Sequence, residues 1–252
     1  MLLKKYFYRT VSLVLLAFLF CGILFACGNG ETETMEKEDV LKNIPGIQGQ
    51  LPKIGDEIAV ITTAQGVIKV MFFPDLIPNG VENFITHAKN GYYDGQNFHR
   101  VMQDFMIQGG DPLGTGMGGE SIWGKGFMVE FAPELRHYRG ALSYARSNAL
   151  DSQGSQFYIV HGDVVNDDEI AKLRAYGYSV SDEIAEAYKK VGKGVPFLDD
   201  NYTVFGQVFE GIDVVDKLAA VQVKMSMSGE MSAPVNIKDV LVKKIEIVKY
   251  EG

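Results

Sequence analysis

Cysteine is nearly absent from this 252-residue chain: Cys21 and Cys27 are the only two, both within the first thirty residues. Beyond them there is no thiol for a disulfide framework or a cysteine-based zinc site. Histidine is scarce, and His87, His99, His137 and His161 lack metal-ligand spacing, so no metal is expected. Positive charge is in deficit, with 24 Lys and Arg against 32 Asp and Glu and a net charge of −8. Such a chain is a poor ligand for a phosphate backbone, which argues against nucleic acid as a partner. Long apolar runs are limited to one, Val11 to Ala26, sixteen residues without a charge. That is short of the ~20 residues a membrane span needs.

What is present begins with a basic start, Lys4, Lys5 and Arg9, ahead of that run, the layout of a secretory signal. The run ends Leu24-Phe25-Ala26-Cys27 and is followed by Gly28-Asn29-Gly30. This resembles the bacterial lipoprotein signal, in which the cysteine takes a diacylglycerol and becomes the new N-terminus. The resemblance implies removal of residues 1–26, a lipid on Cys27, and an extracytoplasmic protein anchored to a bacterial membrane. A plain signal peptide or an uncleaved anchor is the alternative. Without Lys4, Lys5 and Arg9 the balance is 21 basic against 32 acidic residues, net −11. Anionic headgroups would repel such a chain, so attachment would come from the lipid and not from a basic patch. Residues 31–52 are polar, acidic and contain Gly and Pro. Residues 27–55 therefore read as a lipidated N-terminus and flexible tether, and 56–250 as a domain large enough to stand on its own core.

Within that domain, Ile58, Val60 and Thr62 alternate with Ala59 and Ile61, Ala64-Gln65-Gly66 makes a turn, and Ile68, Val70 and Phe72 alternate on the return. This predicts a hairpin. Val81, Phe84, Ile85 and Ala88 recur at helical spacing, with Asn79 as the expected N-cap, Glu82 at the capping-box position and Gly91 as the stop. Strands are predicted at Gly140–Ala145, Gln156–Val160 and Val204–Val208, a short helix at Ile212–Val221, and a last strand at Val240–Val248. The last strand changes apolar phase between Val242 and Ile245, which implies a bulge at Lys243-Lys244. Many short strands with few helices favour a closed antiparallel barrel or a sandwich.

The chemistry concentrates in Asn97–Asp111, Asn-Phe-His-Arg-Val-Met-Gln-Asp-Phe-Met-Ile-Gln-Gly-Gly-Asp. Two apolar runs, Phe98–Val101 and Phe105–Ile107, flank a polar turn and suit consecutive strands. His99, Arg100 and Gln108 fall among core residues, and a buried Arg is rare unless paired. Either one face is wet, or Arg100 points into a pocket. The string closely resembles the signature of the cyclophilins, the peptidyl-prolyl cis-trans isomerases. Val81-x-Asn83-Phe84, Gly91-Tyr92-Tyr93-Asp94-Gly95 and Gly154-Ser155-Gln156-Phe157-Tyr158 are also cyclophilin-like. The resemblance covers Ile58 to about Val248 apart from one long segment. It implies a mainly β fold, a closed eight-stranded antiparallel β-barrel capped by two α-helices. It also implies rotation of X-Pro bonds, no cofactor, and proline-containing segments of exported polypeptides as partners.

By the same resemblance, Arg100 is the catalytic arginine, Gln108 the glutamine that binds substrate backbone and orients it, and His99 a positioning residue. Phe105, Met106 and Leu198 match the proline pocket, and Ala145 and Gln156 match groove residues. Tyr158 stands where a pocket Phe is usual, so its hydroxyl needs a partner or an exit to water. Arg146 stands where many members have Asn. Phe197 and Tyr202 occupy substrate-binding positions that are Trp and His in the drug-binding eukaryotic members, which weighs against tight cyclosporin binding more than against catalysis.

The long segment, about 163–196, reads as a helical insertion. Ser181 would cap a helix with Ile184, Ala187, Tyr188 and Val191 on its apolar face and Gly192 beyond, and a second helix runs from about Asp167 to Tyr176. It is either a hairpin packed on the barrel or a wall beside the groove. Gly114-x-Gly116-x-x-Gly119 lacks the strand and helix of a dinucleotide site, and Ser155 lacks a nucleophile-elbow frame. Met225–Met231 has no functional reading. A cyclophilin-fold binding module or holding chaperone without isomerase activity is the rival to the enzyme.

Overall fold

The structure is a computed structural model and describes residues 40–252. The expected signal peptide, Cys27 and the start of the expected tether lie outside the described residues.

Strands β1 (Glu57–Thr63) and β2 (Val67–Phe72) form the expected hairpin, with Ile61 opposite Ile68. Ala59, Ile61, Ile68 and Val70 are fully buried on its inner face. The turn is closed by Thr63 Oγ1, which donates to Gly66 O at 2.8 Å and accepts from Gln65 N at 3.1 Å. Helix α1 (Pro78–Lys89) follows, but Asn79 is not its N-cap. Pro78, with no N–H to leave unsatisfied, takes the first helical position and moves the cap back to Ile77. The free N–H groups of Asn79 and Gly80 are met from afar by the Glu130 carboxylate, at 3.2 and 2.8 Å. A carboxylate there also complements the helix dipole.

The remaining elements are β3 (Arg100–Met102), β4 (Met106–Gly109), β5 (Ala141–Tyr144), β6 (Phe157–Val160), β7 (Asp163–Val164), α2 (Asp167–Ala175), α3 (Asp182–Val191), β8 (Lys193–Gly194), β9 (Val204–Glu210), α4 (Ile212–Ala219), β10 (Val223–Met225), β11 (Met231–Pro234) and β12 (Val242–Lys249). Eight strands in the order β12-β1-β2-β9-β5-β6-β4-β3 curl into an antiparallel half-barrel. The barrel is open, not closed as expected. β3 is three residues long and pairs only with β4, so the seam to β12 carries no ladder among the described residues. It holds one isolated bridge, Asn97 to Leu241, and hydrogen bonds such as Phe98 N to Val240 O at 3.1 Å. The pairing of β1 with β12 skips Lys243, which places the bulge where the apolar phase change puts it.

The core is aromatic at its centre: Phe84 meets Phe157 edge-on at 5.2 Å and lies 5.0 Å from Tyr93. Helices α1 and α4 both pack on the sheet. A second cluster, containing Ile170, Leu173, Ala185 and Tyr188, seats α2 and α3 beside the barrel, each helix capped as its sequence requires. Asn166 Oδ1 accepts from Glu169 N at 3.0 Å, and Ser181 Oγ accepts from Ile184 N at 3.2 Å.

The last part of the expected tether is domain, not linker. Val40 and Leu41 join the main core, Ile44 joins the second cluster, and Gln48 is fully buried. Gln48 accepts from Arg136 N at 2.7 Å and donates to Arg136 O at 2.9 Å. The polar average of this stretch hides three apolar anchors, and one amide whose donor and acceptor are both satisfied on the domain.

Candidate active site

Strand register assembles the site. Arg100 lies opposite Gln108, Gln108 opposite Tyr158, and Tyr158 opposite Ser143, a row across β3, β4, β6 and β5. Cross-strand partners share a face, and the next row must face the other way. That row is Val101, Ile107, Ile159 and Leu142, all fully buried. The same period of two that builds the core therefore lifts Arg100 and Gln108 onto the opposite face.

There they border a groove of about 720 Å³, a size that suits a short peptide segment. His99, Arg100, Phe105, Met106, Gln108, Ala145, Tyr158, Leu198 and Tyr202 all line it. Two expected residues stand behind the wall. Phe197 shares a 3-10 turn with Leu198, and only Leu198 reaches the groove. Phe197 stacks behind Phe105 at 5.8 Å and meets Tyr178 of the insertion at 6.2 Å. Gln156 stands behind Gln108, accepting from its Nε2 at 2.9 Å and donating to Gly116 O and Gly118 O at 3.0 and 2.7 Å. The amide of Gln108 is thereby fixed with Oε1 facing Arg100, whose Nη1 donates to it at 3.4 Å.

The glycine-rich loop is folded around Asp111, which accepts from Leu113 N, Thr115 N and Gly116 N at 2.8, 2.9 and 2.6 Å. Burial pushes its carboxyl up, but these backbone donors outweigh that and hold it below the usual range. His99 lies under the loop, and both its ring nitrogens are buried with no hydrogen-bond partner among the described residues. Burial lowers its pKa against the opposing pull of Asp111, which favours a neutral ring. Arg146 places its guanidinium 4.8 Å from the Tyr202 ring centre, with its Nε tied to Asn201 O at 2.8 Å.

The Tyr158 hydroxyl has a partner, His137 Nε2 at 3.0 Å. Sequence reasoning missed this histidine and its own partner Asp199. It also missed Glu230, whose carboxylate pairs with Arg100 at 2.7 Å. Glu230 belongs to the β10–β11 hairpin, which also lines the groove with Ser226, Met227, Ser228, Ser232 and Ala233. Only the topology brings that hairpin to β3, and no local pattern signals it. The insertion supplies nothing: no residue of 163–196 lines the groove. Among the described residues no group of three or more His, Cys, Asp or Glu side chains could hold a metal ion.

The groove is open and largely apolar, with a tethered arginine and one fixed amide at its edge, and is large enough to admit a short extended peptide. The family model for cyclophilin type peptidyl-prolyl cis-trans isomerases matches residues 58–242, and the chain belongs to that family. A Staphylococcus saprophyticus protein named "Putative peptidyl-prolyl cis-trans isomerase" is 44% identical over 196 residues, which is 77% of this chain and 94% of that one. A Staphylococcus aureus protein of the same name is 41% identical over 207 residues, 82% and 99% of the two chains. Among solved structures, a Cryptosporidium parvum cyclophilin type isomerase crystallised in the presence of the dipeptide Ala-Pro matches with a TM-score of 0.59 and 28% identity. That match covers 77% of this chain and 99% of the other.

Proposed function

We propose that this isomerase acts on X-Pro bonds of exported polypeptides at the outer face of a bacterial membrane, held there by a lipid on Cys27. We assign the stabilisation of the twisted amide to Arg100. An X-Pro bond has little trans preference but turns over in tens to hundreds of seconds, behind a barrier of ~18–20 kcal/mol set by amide resonance. No covalent bond breaks and no proton has to move. Twisting localises the nitrogen lone pair, which then accepts a hydrogen bond that the planar amide cannot. A guanidinium fixed beside that nitrogen favours the twisted state over the ground state. Lowering the barrier by about 5–6 kcal/mol would accelerate rotation roughly ten-thousandfold.

The observation that carries this reading is the placement of Arg100 at the edge of an apolar floor. Its Cζ is 5.6 Å from the Phe105 ring centre, and Phe105, Met106 and Leu198 line the same groove. Phe105, Met106 and Leu198 would seat the proline ring, Gln108 the adjoining backbone, and Ala145, Tyr158 and Tyr202 the far wall. Gln156 supports Gln108 from behind, and Phe197 supports Phe105. The neutral His99 needs no proton-transfer role. An open groove with no contribution from the insertion supports turnover over a purely holding role.

The client role is tested by refolding an exported protein whose slow phase is an X-Pro isomerisation. The full-length protein should accelerate that phase and Arg100→Ala should not. Equal refolding with and without the protein, alongside normal activity on peptides, would remove the client role. Loss of labelled-palmitate incorporation in Cys27→Ala tests the anchor.

A further inference from the structure

Arg100 is not a free arginine. The Glu230 carboxylate accepts from its Nε at 2.7 Å and from its Nη2 at 3.0 Å, a two-point grip from 130 residues away. Both side chains are about two-thirds covered, with exposures of 33% and 34%. We infer that Glu230 is a positioning residue for the isomerase reaction, which fixes the Arg100 guanidinium so that its remaining N–H bonds serve the substrate. The inference rests on the assignment of Arg100 as the catalytic group.

A guanidinium has five N–H donors in a rigid plane. Glu230 takes two and Gln108 Oε1 takes a third, from Nη1. One donor is left on each Nη, on a side chain that lines the groove. A single neutral contact at 3.4 Å would let the plane swing, whereas a forked carboxylate sets both its position and its tilt. The hairpin is shaped to deliver that carboxylate. Its turn is closed by Ser226 N donating to Glu230 O at 2.7 Å and Glu230 N donating to Ser226 Oγ at 3.2 Å, and Gly229 takes φ +81°. The β10–β11 ladder then skips Ser232, and β11 packs against β3, which carries Arg100. The hydrogen bond from Arg100, above all, holds the Glu230 carboxyl below its usual range, so the pair stays ionised around neutral pH.

The test is Glu230→Gln, which keeps size and hairpin packing but loses the charge, in the full-length protein with an X-Pro peptide, alone and combined with Arg100→Ala. We expect kcat to fall about tenfold, the loss of one charge-assisted contact, with KM within about twofold. On top of Arg100→Ala the substitution should change nothing. The Arg100 Nε–H resonance should move in the folded variant, which separates a swung guanidinium from an unfolded protein. Unchanged or raised kcat overturns the inference, as does a loss that persists without Arg100. Full activity in Arg100→Ala would instead overturn the assignment of Arg100.

Discussion

Tyr158 donates its hydroxyl proton to His137 Nε2 across 3.0 Å, at the back of the groove. The other ring nitrogen of His137 donates to Asp199 Oδ1 at 2.8 Å, which fixes the tautomer. Ser143 is also near Nε2 but donates to Thr203 O at 2.7 Å, leaving Nε2 to the phenol. Asp199 further accepts from His137 N at 3.0 Å and from Tyr188 of α3 at 2.9 Å. A tyrosine in the groove wall is thus tied through a buried histidine and carboxylate to the insertion.

This chain supports stability more than chemistry. Tyr158→Phe leaves one buried acceptor unpaired and should cost about 1–2 kcal/mol. Asp199→Ala strips an acceptor from three buried donors and should cost about 3 kcal/mol or more. Denaturant unfolding measures both, and peptide isomerisation by Tyr158→Phe should stay within a few-fold of wild type.

The insertion packs on the flank of the barrel, with Leu173 buried in its own small cluster. Leu173→Ala should destabilise by about 2–5 kcal/mol and leave kcat/KM of the folded protein unchanged. A change in KM for peptides would mean that the insertion reaches the substrate.

Gln156 acts through Gln108. Gln156→Ala frees the Gln108 amide to rotate away from Arg100, and kcat/KM should fall roughly three- to tenfold, the effect of one hydrogen bond of about 1 kcal/mol. Steady-state kinetics with unfolding as the control separates this from a general loss of fold.

His87, His99 and His161 each have a pKa lowered chiefly by burial. The unfolded chain therefore binds protons that the folded chain refuses. Stability should be full above the unfolded value of about 6.5 and should fall as pH drops from there toward the lowered folded values. Asp111, Asp213 and Glu230, whose carboxyls are held low, add a second loss at more acid pH. His87 donates or accepts through Nε2 at Glu120 O, 3.0 Å away, and because that partner is a carbonyl the ring donates. His87→Gln can keep that donor, so it should flatten the thermal-stability profile between pH 6.5 and 5. An unchanged slope would show that His87 does not titrate with unfolding.

The positions of most strands could be read from the chain, and the family resemblance pointed to residues that line the groove. The period of two that marks Val101 and Ile107 as core also marks Arg100 and Gln108 as facing away, and the slip in phase after Val242 locates the bulge at Lys243. Some of the errors are local, and others arose because the deciding partner lay far off in sequence. Pro78 shifts the α1 cap, and Glu130 supplies the carboxylate that Asn79 does not. Gln48 is unremarkable in a polar segment until Arg136 meets both ends of its amide. Phe197 and Leu198 are adjacent and equally apolar, and only the 3-10 turn decides which faces the groove. Glu230 is one acid among many until the fold carries it to Arg100.

The most direct test of the account is isomerisation of a short X-Pro peptide by the full-length protein beside Arg100→Ala. On this account the wild type should turn over rapidly and the variant should lose roughly a hundred- to a thousandfold, while still unfolding cooperatively as a folded protein. Equal turnover by a well-folded Arg100→Ala protein would contradict it.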